Sequence, residues 1–113
     1  MSRKYPRSKA YLQQRGRCFY CRFCIWNADP ERFCAIHGLS LRAAMRYQCT
    51  AEHLTARQDG GGNESANIVA ACRFCNQTRH RRKVPPSPGV YVALVRKRVG
   101  RGRWHPKEHH HLR

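Results

Sequence analysis

The sequence predicts a small α+β domain: two short strands joined by a glycine-rich turn, a helix directly after the second strand, and further helices on either side. Three observations carry this. Two cysteine pairs with two-residue spacers, Cys18-Phe19-Tyr20-Cys21 and Cys72-Arg73-Phe74-Cys75, bracket the middle of the chain. Between them Gln48 to Leu54 alternates loosely and Ile68-Val69-Ala70-Ala71 is a short apolar run, separated by the strong turn signal Asp59-Gly60-Gly61-Gly62-Asn63. From Arg73 the pattern turns helical, and Val84-Pro85-Pro86 stops it.

Taken in order, Tyr5 to Arg15 reads as a basic helix with Tyr11 and Leu12 facing inward, ended by Gly16. Cys18 to Cys24 reads as a tight turn. Asn27 to Gly38 reads as irregular chain, because Asp29-Pro30 favours a turn. Ser40 is placed to cap a short helix through Leu41, Ala43, Ala44 and Met45. After the hairpin and its helix, Ser87-Pro88 opens a last helix with Tyr91, Leu94 and Val95 at helical spacing before Gly100. A strand over Val90 to Val95 is the competing assignment. Residues 101–113 read as a mobile basic tail, and there are no internal repeats. The organisation expected is one domain, with a basic arm or helix at 1–17, a core at 18–84, and a helix and basic tail at 85–113.

Composition narrows the class. The chain has 113 residues and an apolar fraction of 41%, which allows a small core. A structural metal would supply folding energy that so small a core lacks. Against 23 Lys and Arg stand 6 Asp and Glu, a formal charge of +17. Self-repulsion of that size calls for a polyanion partner, and nucleic acid is favoured over a membrane surface because no long apolar run or amphipathic basic helix stands out. The basic start Met1-Ser2-Arg3-Lys4-Tyr5-Pro6-Arg7 is followed by no apolar segment of the signal-peptide kind. A cytoplasmic protein is therefore expected. In a reducing compartment its 7 cysteines read as metal ligands and buried thiols before disulfides, and the odd number agrees.

The two cysteine pairs carry the first chemistry. A two-residue spacer lets both thiolates of a turn point at one tetrahedral ion, and two such turns close a four-cysteine zinc site. Cys18, Cys21, Cys72 and Cys75 are the expected ligands, against redox or simply buried thiols. Cys21 and Cys24 form an overlapping pair, but Cys18/Cys21 is favoured because Arg22-Phe23 then continues past the turn. Cys21, Cys24 and His37 begin the spacing of a two-cysteine, two-histidine finger. Positions 41–43 hold Leu, Arg and Ala where the second histidine would stand, so that finger fails. Cys34 and His37 stay open as donors to a second zinc, and Cys49 reads as core.

A second set is polar. Glu52-His53 lies on the first strand, Asn67 just before the second, and Asn76 and His80 are four apart on the following helix, hence on one face. Together they offer oxygen and nitrogen ligands for a cation and leave one imidazole free as a base. A zinc deaminase would need His-x-Glu and Pro-Cys-x-x-Cys; here the order is Glu-His, and Ala71 precedes Cys72.

The segment from Cys49 to Gly61, with Asn67 to Asn76, resembles the HNH endonucleases, and more narrowly their zinc-stapled H-N-N variants. The resemblance covers about residues 18–83, and the spacings His53 to Asn67, Asn67 to Asn76 and Asn76 to His80 suit the family. It implies a ββα-metal core, that is, an antiparallel two-stranded hairpin plus helix. It implies hydrolysis of DNA phosphodiesters to 5′-phosphate and 3′-hydroxyl ends, as a nick or a double-strand break. His53 would be the general base, Glu52, Asn76 and His80 would hold a catalytic Mg²⁺, Mn²⁺, Ni²⁺ or Zn²⁺, and Asn67 would brace the loop between the strands. Glu52 stands where the family more often has Asp or His, and Asn76 is a weaker ligand than His. Arg57, Arg73, Arg79, Arg81, Arg82 and Lys83 surround this core in sequence and are expected on backbone phosphates, which give affinity with little sequence discrimination. A homodimer, or a phage or prophage packaging protein as partner, is the further context the resemblance suggests. The rival reading is a non-catalytic zinc module that binds nucleic acid.

Overall fold

The computed structural model describes residues 4–113; the first three residues of the expected basic arm lie outside it. At its centre is an antiparallel hairpin of β1 (Cys49–His53) and β2 (Ile68–Cys72), paired from Cys49↔Cys72 to His53↔Ile68. Helix α4 (Arg73–His80) follows β2 without a linker. Cys72 ends the strand and caps that helix, its Sγ accepting from the Cys75 amide at 3.3 Å.

Around this centre lie α1 (Lys4–Gln13), α2 (Pro30–His37), α3 (Leu41–Met45) and α5 (Pro88–Gly100). Helix α1 packs on β2, and the Gln14 amide just beyond it bonds both backbone groups of Ala70, at 2.8 and 2.9 Å. That side chain and the Phe19 amide, which donates to Ala70 O at 2.9 Å, occupy β2's outer edge where an unpaired strand would otherwise recruit other chains. On α1 the inward residues are Pro6 and Ala10, with Tyr11 half-buried. Leu12, expected inside, is 73% exposed, because one residue past Tyr11 turns by about 100° around the helix.

Two further expectations are corrected. Residues 27–38 are not irregular: Asp29 caps α2 by accepting from the Arg32 amide at 3.0 Å, Pro30 fills the first turn, and Gly38 ends it in the left-handed region at φ 66°. Asp-Pro here starts a helix, since proline's missing N–H costs nothing at that position. Residues 101–113 are not a mobile tail either. They fold back over the cysteines, burying Trp104, His105 and Leu112, and Leu112 O receives the Cys24 amide at 2.8 Å. Ser40 and Ser87 cap α3 and α5 as expected, so the strand alternative for Val90 to Val95 falls. Helix α4 stops at His80, short of the prolines. No helix among the described residues is long and apolar enough to cross a membrane.

Candidate functional site

The hairpin and the cysteine turn build two sites on opposite ends of one short piece of chain. The first is sulfur-rich. Cys18 and Cys21 come from the turn after α1, Cys72 and Cys75 from the junction of β2 and α4. Their four Sγ atoms lie within 4.8 Å of one another, all buried. Tetrahedral Zn–S bonds of about 2.3 Å place sulfurs about 3.8 Å apart, so the cluster needs to contract by about 1 Å or less to hold the ion. The favoured pairing is thus the one brought together. Cys24 and Cys34 stand half-buried outside it, and Cys49 is a core thiol pushed up to about 12 by burial.

Each sulfur has an N–H partner. Cys18 Sγ accepts from the Tyr20 and Cys72 amides at 3.4 and 3.3 Å, and Trp104 Nε1 donates to Cys75 Sγ at 3.3 Å. His105 Nε2 lies 3.3 Å from Cys21 Sγ. Its other nitrogen accepts from Arg46 Nε at 2.9 Å, which requires the proton on Nε2 and makes the contact an N–H···S bond. Burial, and then Arg46, push His105 down to about 3, so the ring is a neutral donor. Four thiolates holding one Zn²⁺ would carry a net negative charge, which these donors would disperse inside the protein.

The second site lies at the other end of β1. Glu52, His53, Asn76 and His80 line one cavity of about 270 Å³, together with Ala51, Ala56 and Arg57. Glu52 is 1% exposed and therefore held by partners. Oε2 accepts from the Tyr20 hydroxyl at 3.0 Å and Arg79 Nη1 at 3.2 Å, while Oε1 lies 2.8 Å from His80 Nε2. Asn76 Nδ2 donates to Thr50 Oγ1 at 3.0 Å, and Thr50 in turn donates to Ala71 O.

His53 Nε2 lies 2.9 Å from Asn63 Oδ1. Arg57 Nη2 donates to the same Oδ1 at 3.3 Å, which identifies that atom as an acceptor. His53 therefore carries its proton on Nε2 and presents a bare Nδ1. Asn67 is buried and clips the long loop shut: its Oδ1 accepts from the Thr55 amide at 2.8 Å, and its Nδ2 donates to Thr55 O and Gly62 O at 3.0 and 2.9 Å. Gly61 lies against this clip, where any Cβ would overlap Thr55 O.

The donor set accommodates a cation. Two cis ligands of an octahedral ion with bonds of about 2.1 Å stand about 3 Å apart, close to the Glu52–His80 separation. Asn76 supplies an amide on the same cavity. Among the described residues the cysteines are nevertheless the one group of three or more Cys, His, Asp or Glu gathered at metal distance.

The expected phosphate contacts separate. Arg57, Arg82 and Lys83 line a cleft of about 750 Å³ that also reaches His80. Arg73 and Arg81 are exposed outside both cavities. Arg79 lines the same cleft but is 6% exposed, with Nε bonded to Pro86 O at 3.0 Å and Nη1 on Glu52, so its main partner is the buried carboxylate. A buried carboxylate needs a cation, and Arg79 is the one α4 turns inward. Tyr20, Asn63, Trp104 and His105 are the functional neighbours that sequence reasoning missed. Only Trp104 carried a signal, as an isolated large apolar residue in a basic stretch.

An antiparallel hairpin followed by a helix, with four cysteines positioned to bind a metal such as zinc and a Glu-His pair opposite Asn and His, defines a small hairpin-and-helix domain. Residues 32–82 match the family model HNH endonuclease, a family whose general activity is that of a nuclease. The match begins after the first cysteine turn and includes the second. No curated protein and no solved structure matches the chain.

Proposed function

We propose that the protein is a divalent-cation-dependent DNA endonuclease that hydrolyses phosphodiester bonds to 5′-phosphate and 3′-hydroxyl ends. The observation that carries this reading is the convergence of Glu52, His53, Asn76 and His80 on one cavity beside a cleft lined by Arg57, Arg82 and Lys83. A module that only bound nucleic acid would need the arginines and not the rest.

His53 Nδ1 is the general base: its lone pair takes the proton of the attacking water, and Asn63 holds the ring by its other nitrogen. Asn67 fixes the loop that carries Asn63, so it acts through position rather than contact. Glu52 Oε1, His80 Nε2 and Asn76 would hold the cation. When bound, it supplies charge stabilisation to the phosphate oxygens and the leaving 3′ oxygen. Arg57, Arg82 and Lys83 hold the strand by its phosphates. The cysteine set takes zinc and keeps hairpin and helix in register. One such site cuts one strand, so a double-strand break needs a second copy or a second event.

The rival, a non-catalytic binder, draws support from the Glu52–Arg79 pair, which engages a ligand oxygen before any cation arrives. Supercoiled plasmid with zinc-loaded protein separates the two. Nicking with Mn²⁺ or Mg²⁺ that stops on chelation is expected; salt-sensitive gel shifts without any cutting would favour the rival.

A further inference from the structure

The two oxygens of Glu52 are treated differently. Oε2 carries two donors, Tyr20 and Arg79, whereas Oε1 faces His80. Tyr20 comes from the cysteine turn itself, between Cys18 and Cys21, 32 residues from Glu52 in sequence. Its side chain is wholly buried, its ring edge-on to Tyr91 with centroids 4.7 Å apart. The hydroxyl must donate, because a carboxylate only accepts. Arg79 contributes a single nitrogen, since its Nε is tied to Pro86 O.

We propose that Tyr20 is a positioning residue for the catalytic cation: by occupying Oε2 alongside Arg79 it turns Oε1 towards His80 and mechanically joins the cysteine staple to the cation site. A carboxylate's terminal torsion is soft, so an unrestrained Glu52 would share its orientations between the two oxygens. Two donors on one oxygen remove that freedom before the cation binds. The longer reach of Glu52, relative to an Asp at this position, makes such restraint necessary. The staple then does more than hold the fold, because the residue that aims the cation ligand sits inside the zinc turn. This rests on the cation reading given above.

The test is Mn²⁺ binding by zinc-loaded protein, read from the electron paramagnetic resonance signal of free Mn²⁺. Tyr20→Phe keeps the ring on Tyr91 and removes only the donor. Its Mn²⁺ dissociation constant should rise about tenfold, the scale of a lost hydrogen bond to a charged group. Zinc content should match wild type, and excess Mn²⁺ should restore most of the cleavage. In a Glu52→Gln background the same change should add nothing, because its effect runs through that carboxylate. Tyr91→Phe, which loses a bond to Cys75 O and not to Glu52, should bind Mn²⁺ as wild type does. A Tyr20→Phe protein that binds Mn²⁺ like wild type, or that loses its zinc, overturns the proposal. If wild type and Tyr20→Phe bind alike while Glu52→Gln is weaker, the cation site stands and Tyr20 alone falls. If wild-type protein takes up no Mn²⁺ at all, the cation reading falls with it.

Discussion

Replacing Arg79 with Met leaves Glu52 as a carboxylate 1% exposed with its compensating charge gone. Removing one partner of a buried ion pair costs about 3 to 5 kcal/mol, because the remaining charge has neither water nor counter-ion. The lower end applies here, since Tyr20 and His80 still touch the carboxylate at 3.0 and 2.8 Å. Unfolding entropy of about 2.1 cal/mol/K per residue over 113 residues comes to about 0.24 kcal/mol/K. A loss of about 3 kcal/mol then lowers Tm by about 12 °C. The assay is a calorimetric melt of zinc-loaded protein at neutral pH. The double variant Glu52→Gln/Arg79→Met should recover most of the loss, because it buries no charge. A single variant melting within about 4 °C of wild type, a cost of about 1 kcal/mol, would show that Glu52 is not held as a buried carboxylate.

Other outcomes follow from the same geometry. Gly61→Ala forces a methyl into Thr55 O, so nicking should fall at least as far as in Asn67→Ala while zinc content stays whole; unchanged activity would remove the loop clip from the account. A thiol reagent near neutral pH should label Cys24 and Cys34 on folded zinc protein and spare Cys49, whose thiol burial pushes up to about 12; mass spectrometry counts the adducts, and chelation with denaturant should expose all 7 cysteines. Deleting residues 103–113 strips Trp104 and His105 from the sulfurs, so zinc should transfer to a chromophoric chelator much faster than from the full chain. Arg82→Gln with Lys83→Gln should weaken DNA binding and flatten its salt dependence by about two phosphate contacts, leaving Tm unchanged.

The hairpin, its following helix and the four cysteines were legible because each rests on local pattern: alternation, a glycine run, and a two-residue spacer. In the polar set only Asn76 and His80 stand at helical spacing; that Glu52 and His53 share their cavity depends on the hairpin and helix packing together. The Glu52–Arg79 pair was not legible, because Arg79 stands in a basic run from Arg79 to Lys83 whose members look alike until one is seen to turn inward. Tyr20 and Asn63 were invisible for a different reason. Their partners lie 32 and 10 residues away, and no periodicity connects them. The tail failed on composition: its basic residues masked Trp104 and Leu112, whose burial depends on a surface made by distant elements. Asp29-Pro30 failed on ambiguity, since the same pair opens a turn or a helix and Gly38 decides which.

His53 is expected to perform the chemistry at this cavity. Zinc-loaded wild type and His53→Ala, with equal zinc content and melting behaviour, should be compared for nicking of supercoiled plasmid under saturating Mn²⁺. Losing a general base costs about 10²- to 10⁴-fold in rate, with DNA binding retained. Nicking by His53→Ala at the wild-type rate would contradict the account.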